Sequence, residues 1–179
     1  MADWSWVMEL LVEVYTKLAV TYSQNTADTD AEKRYFTFLE TVFTPSQVAD
    51  QKLNVKLLES GLVPEGMEIP IKAMRVDAAL FREENLPLQT EERKLASEYE
   101  KIAGAWTIPW NGEEHTITGL QITYQAADRA TRETLWRTAA ERRLADREAI
   151  NELWTKMLAL RIQMAENAGF SDYRFLHGK

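Results

Sequence analysis

Apolar side chains return at three- and four-residue steps through the first segment, at Trp4, Val7, Leu11, Val14, Leu18 and Tyr22. That spacing lines one face of a helix, and Asp3 stands where a capping side chain is expected. Residues 25–29 are polar and read as a turn. A second helix begins near Asp30, with Tyr35, Leu39 and Val42 on one face. Thr44-Pro45 reads as a fresh start, because proline at the first helical position loses no hydrogen bond. This third helix runs to about Ser60, and Gly61 suits the left-handed residue that follows a helix end. Residues 62–70, with Pro64, Gly66 and Pro70, read as a loop. A fourth helix is expected over 71–84, with Met74, Ala78 and Phe81 inward. Leu86-Pro87-Leu88 stops it, since the residue before proline avoids the helical region. Thr90 opens a fifth, with Leu95, Tyr99 and Ile102 inward and Gly104 at its end.

The pattern then changes period. Trp106-Thr-Ile-Pro-Trp110 and residues 113–118 flank Asn111-Gly112, the strongest short signal for a β-hairpin. Pro109 demands an edge strand. From Gly119 to Gly169 neither Gly nor Pro occurs for 49 residues, which predicts one very long helix or two nearly collinear ones over about 128–167. Ala127-Asp-Arg and Leu135-Trp136 recur 18 residues later as Ala145-Asp-Arg and Leu153-Trp154. Five helical turns separate the copies, so both tryptophans share a face, and Trp154 is expected to be buried. Acid-before-base pairs (Asp128–Arg132, Glu133–Arg137, Glu152–Lys156) line the solvent side. The apolar stripe from Ile150 to Ala165 is wide enough to meet partners on two sides. The fold class expected is therefore mainly α: an antiparallel helical bundle in a single domain, residues 1–179. It has one long C-terminal helix and a single short β-hairpin near 106–118.

Composition narrows the chemistry. The 179 residues include no Cys and only two His, His115 and His177. Thiol catalysis, disulfides and cysteine metal sites are excluded. A helical zinc hydrolase needs H-E-x-x-H, with both imidazoles one turn apart, and neither His has a second His within a turn. Glu113-Glu114-His115 sits at the hairpin turn and reads as solvated; His177 lies three residues from the end. No inward Glu-x-x-His pair exists for a di-metal bundle, and no Gly-rich phosphate loop or G-x-S-x-G occurs. The carboxylate pairs Glu83-Glu84, Glu91-Glu92 and Glu98/Glu100 read as solvated faces. Accordingly no catalytic, cofactor-binding or metal-ligating residue is assigned.

The formal charge of −7 and pI of about 5.0 give no general support for nucleic-acid binding. Arg129, Arg132, Arg137, Arg142, Arg143 and Arg147 are interleaved with acids and read as ion-paired surface. Residues 1–120 carry 11 basic against 20 acidic side chains, and 121–179 carry 10 against 8. Apolar runs end at four residues (78–81, 157–160), too short for a membrane span. The start has no basic, apolar leader pattern, so a cytoplasmic location is expected.

Two stretches carry a family resemblance. One is Phe81-Arg-Glu-Glu-Asn-Leu-Pro-Leu with Glu92-Arg-Lys-Leu-Ala-Ser-Glu-Tyr-Glu-Lys-Ile-Ala-Gly. The other is Ala145-Asp-Arg-Glu-Ala-Ile-Asn-Glu-Leu-Trp, leading into Leu160-Arg-Ile-Gln-Met-Ala-Glu-Asn-Ala-Gly-Phe-Ser-Asp-Tyr-Arg. With the Trp-centred hairpin between them, they resemble the N-terminal helical region of oligoendopeptidase F-type zinc metallopeptidases, relatives of thimet oligopeptidase. The resemblance implies cytoplasmic enzymes that cleave short peptides in an enclosed helical cavity. In such relatives the H-E-x-x-H, a downstream Glu ligand and the stabilising His and Tyr lie beyond the region matched here. No catalytic residue carries over, and zinc is expected only in a full-length relative. The resemblance thus implies a truncated lobe, inactive alone, whose partners are a separate catalytic-domain chain or a second copy in a homodimer, with peptide contact. The alternative is a stand-alone helical interaction module. Neither nucleic acid nor membrane is expected as a partner.

Overall fold

The computed structural model describes residues 2–177. The chain is made of two compact units, Met1–Arg93 with Leu158–Lys179, and Lys94–Met157. Among the described residues the fold is mainly α with one two-stranded antiparallel sheet.

The first unit opens with α1 (Ala2–Gln24) and α2 (Thr29–Phe38). Asp3 lies inside the first turn of α1 rather than ahead of it, where its charge still favours the positive end of the helix dipole. The turn closes on Asp28, whose carboxylate accepts from the Asp30 and Ala31 N–H groups at 3.0 and 2.9 Å; this is an N-cap. Tyr22, Ala31 and Tyr35 form a small buried core with Tyr15, Leu18, Ala19 and Phe36 around it. The Tyr22 and Tyr35 rings stack 5.8 Å apart. Trp4 joins α1 to α3 by donating its indole N–H to Asp50 at 2.8 Å.

Thr44-Pro45 does not restart the chain as expected. Phe38 and Thr44 are both helical, and residues Leu39–Phe43 form a π turn leading directly into α3 (Thr44–Glu59). The Thr44 N–H reaches back five residues to the Leu39 carbonyl. Widening the helix by one residue moves the carbonyl that the Pro45 ring would otherwise strike, so the proline is accommodated without a break. Beyond Gly61 (φ +68°) and the loop, α4 spans Glu68–Leu80 and buries Ile71. Pro70 falls within its first turn, where N–H groups have no intrahelical partner anyway. The same reason corrects the next boundary: α5 begins at Asn85, with Pro87 in its first turn, and runs to Gly104. Phe81 lies outside α4 in extended conformation, and Tyr99 and Val42 are exposed.

In the second unit β1 (Thr107–Trp110) pairs with β2 (Glu113–Thr116), Ile108 opposite His115 and Trp110 opposite Glu113. Asn111 (φ 54°) and Gly112 (φ 87°) make the left-handed two-residue turn that Asn-Gly favours. A 3₁₀ turn, Gln121–Gln125, leads to α6 (Arg129–Ala145). Asp128 caps α6 through the N–H groups of Ala130 and Thr131. Ile108, Ile117, Leu120, Leu135 and Ala139 are the core, with Trp106, Trp110 and Tyr124 packed against it.

Of the two readings for the last segment, two helices form. Asp146 separates α6 from α7 (Arg147–Asn167), and α8 is a single turn, Arg174–His177. Trp154 is 54% exposed, against the expected burial. The inward side of α7 is Leu153, Met157, Leu160 and Met164, with Ala168 buried just past its end, whereas Trp154, Leu158 and Ile162 recur at four-residue steps on the exposed side. The stripe was wide because two adjacent faces are apolar, and only one is covered.

Candidate functional site

In the first unit, the residues that carried the resemblance meet in space. Arg82 sits where α4 ends and where α7 ends. Its Nη1 donates to the Ala79 and Phe81 carbonyls at 3.0 and 2.7 Å. Its Nε donates to the Asn167 carbonyl at 3.1 Å, and Nη2 to Ala168 at 3.4 Å. One guanidinium thus closes the negative ends of two helices, which also explains why α4 stops before Phe81. Asn85 is 3% exposed. Its amide donates to the Met164 carbonyl at 2.9 Å and its side-chain oxygen accepts from Asn167 Nδ2 at 2.7 Å. Farther along α5, Glu92 accepts from Arg161 Nε at 2.6 Å, and the Arg161 guanidinium lies over the Tyr173 ring. Burial, with the nearby Glu92 charge, pushes the Tyr173 phenol up. Gly169 (φ +81°) ends α7, and Phe170 N–H returns to the Ala165 carbonyl at 2.9 Å in a Schellman closure. This cluster fixes helix ends; its polar atoms are committed to one another rather than held open for chemistry.

A second polar cluster joins Tyr15, Tyr35 and Arg93. The two hydroxyls lie 3.2 Å apart, and Arg93 stands over the Tyr15 ring. Burial, then the Tyr15 hydroxyl, pushes the Tyr35 phenol well above its ordinary range. In the second unit, Asp146 accepts from the Trp106 indole at 2.9 Å and from Arg142 at 2.6 Å. Arg142 and then Trp106 hold its carboxyl below the usual carboxylate range. Along α6, Arg129, Arg132 and Trp136 border a hollow of about 440 Å³ with Tyr124.

His115 lies on β2, half-buried, its Nε2 3.8 Å from Glu113. The side chain of His177 is outside the described residues. Among the described residues no group of three His, Asp or Glu side chains comes together as metal ligands. No helix of the described chain is long and apolar enough to cross a membrane. Glu133 pairs with Arg137 as expected, while Glu92 belongs to a part-buried ion pair rather than a solvated face. Sequence reading missed Arg82, Asn85 and Asp146. Only Asp146 had a legible sign: both copies of Ala-Asp-Arg mark helix starts, at Asp128 and Asp146.

No family model and no curated protein matches the chain. Its fold does match solved structures. A protein described as an oligoendopeptidase F from Bacillus anthracis str. Ames aligns at 18% identity and TM-score 0.72, over 89% of this chain and 30% of its own. PZ peptidase A with an inhibitor aligns at 19% identity and 0.74, over 89% and 29%. A further oligoendopeptidase F gives 22% and 0.74 over the same shares. The chain spans about three-tenths of the length of these structures, and over most of its own length it has the fold of that part of an oligoendopeptidase F.

Proposed function

We propose that the chain serves as the N-terminal helical lobe of an oligoendopeptidase F-type zinc peptidase in the cytoplasm. It forms part of the helical wall around the peptide while another part of the enzyme holds the zinc. On its own it cleaves no peptide. The observation behind this reading is the fold match over 89% of the chain, reached inside less than a third of each peptidase. Its clustered polar side chains close helix ends, and a catalytic zinc needs about three protein ligands.

Metal analysis after dialysis and a quenched fluorescent peptide assay test the reading. The expected result is no retained zinc and no turnover by the isolated chain. Turnover then appears when the chain is combined with the polypeptide encoded directly downstream, provided that frame contains H-E-x-x-H. One tightly held zinc per isolated chain with EDTA-sensitive cleavage overturns it.

The exposed apolar side chains favour a second reading, an interaction module that pairs as a homodimer. Trp6, Leu10 and Val14 recur at four-residue steps on α1, exposed, and Leu158 and Ile162 do so on α7. Symmetric pairing is the commonest way to cover such patches. Sedimentation across about a hundredfold range of concentration should show a dimer; a strictly monomeric 20.6 kDa species throughout excludes it.

A further inference from the structure

Arg129, Arg132, Trp136 and Arg143 fall at i, i+3, i+7 and i+14 on α6, which is one side of a helix. Two adjoining hollows open there. The one of about 440 Å³ is bordered by Arg129, Arg132 and Arg137. The other, of about 350 Å³, is bordered by Thr118, Gln121 and Arg143. Tyr124 and Trp136 border both, so the two hollows adjoin as a shallow groove, open to solvent, with an aromatic middle and arginines toward either end. Glu133 is the one acidic side chain on this lining, and it is taken by Arg137 at 2.9 Å. Arg132 donates to the carbonyls of Ala126 and Ala127, and Arg143 lies over the Trp106 ring. Neither contact neutralises the charge; Asp128 also interacts with Arg132, though less strongly than it does with Thr131. In a chain of formal charge −7 this is a locally cationic strip around an indole that is 61% exposed.

We propose that this groove binds an extended acidic peptide segment. Its carboxylates meet Arg129 and Arg132 at one end and Arg143 at the other, and an apolar side chain lies on Trp136 between them. Guanidinium groups pair with carboxylates through parallel N–H bonds, and an exposed indole gains by covering its face. The 14 helical steps from Arg129 to Arg143 span about 21 Å, the reach of roughly six extended residues. A nucleic acid fits less well, because its phosphates run on past the strip, where the chain's formal charge of −7 opposes them, whereas a short peptide can confine its carboxylates to the two arginine ends. The inference does not depend on the lobe reading: a chain that supports no peptidase would still bind.

Calorimetric titration of the full chain tests it. The probe is an acetylated and amidated peptide of about seven residues, with two acidic residues at each end and a central phenylalanine. Saturable one-to-one binding with Kd below about 1 mM is expected. It should weaken at least about tenfold between roughly 0.05 and 0.5 M salt, where screening shortens. The double variant R129A/R143A and the single variant Trp136→Ala should each weaken it about tenfold or more. All three side chains lie outside the core, so helicity and the unfolding midpoint of these variants serve as folding controls. The same peptide with amides replacing its carboxylates should not bind, a control that needs no variant. No saturable signal by about 1 mM overturns the proposal. So does equal binding of the amide peptide, unchanged binding by the variants, or binding of a single-stranded oligonucleotide where the acidic peptide fails.

Discussion

Arg82 shows how much one side chain can organise when it stands between two helix ends. Its four carbonyl partners come from segments 85 and 86 residues away as well as from its own neighbours. Arg82→Ala should destabilise the chain by about 2–3 kcal/mol, since charge-assisted hydrogen bonds are the stronger kind. Arg82→Lys should recover little, because an ammonium cannot reproduce a planar fork. Denaturant midpoints of the three proteins test the order. Asn85 supports a sharper prediction. Replacing it by Ala leaves the Asn167 amide without its acceptor and the Met164 carbonyl with only the longer bond from the Ala168 N–H at 3.3 Å, and should cost about 1–3 kcal/mol. Asn85→Asp should cost more at neutral pH, because a buried carboxylate oxygen would face the Met164 carbonyl where an N–H now donates. The introduced carboxyl would titrate above its unfolded value near 3.9. The variant should therefore regain stability as pH falls through the raised value, and lose it again as pH rises. A deficit for Asn85→Asp that does not change between about pH 4 and pH 7 would contradict this placement of the amide.

At the scale of elements, what the sequence made legible is what short-range chemistry decides. The hairpin was readable because Asn111 and Gly112 accept left-handed backbone that most residues resist. Nothing crowds the missing Cβ of Gly112, so Gly112→Ala should cost only the backbone strain, about 1 kcal/mol, as read from thermal unfolding. Proline was the less readable signal. Pro87 and Pro70 sit in first turns, and Pro45 follows a π turn; the residue alone does not say whether it breaks a helix or opens one. Long-range choices were less legible still. The width of the stripe on α7 was plain, but which of its two halves is covered depends on segments distant in sequence. With Trp154 on the exposed half, Trp154→Ala should cost under about 1 kcal/mol in the isolated chain. A loss of several kcal/mol in equilibrium unfolding would place that indole in a packed interior. The helix-end cluster was invisible for the same reason, since Arg82 and Asn167 meet across a long stretch of chain.

For the whole molecule, the alkaline side of its pH dependence is set by buried and part-buried phenols. Tyr35 titrates higher in the folded chain than its unfolded value near 10. Its contribution is fully present below about pH 10 and is lost as pH rises toward the folded value. Unfolding midpoints should therefore fall once pH rises above about 10, and Tyr35→Phe should flatten that fall; an equally steep fall in the variant would assign the effect elsewhere. The π turn at Leu39–Phe43 has a different reach. It holds one residue more than the regular helix needs, and so keeps the faces before and after it in step. A relative one residue shorter here, with no proline at position 45, would pass through as ordinary α-helix and present the same faces. Laid against such a relative without a gap, every position of α3 would be turned by about 100°. Residues that play the same part would then be compared with the wrong partners, and two like folds would look less alike in their letters than they are in space.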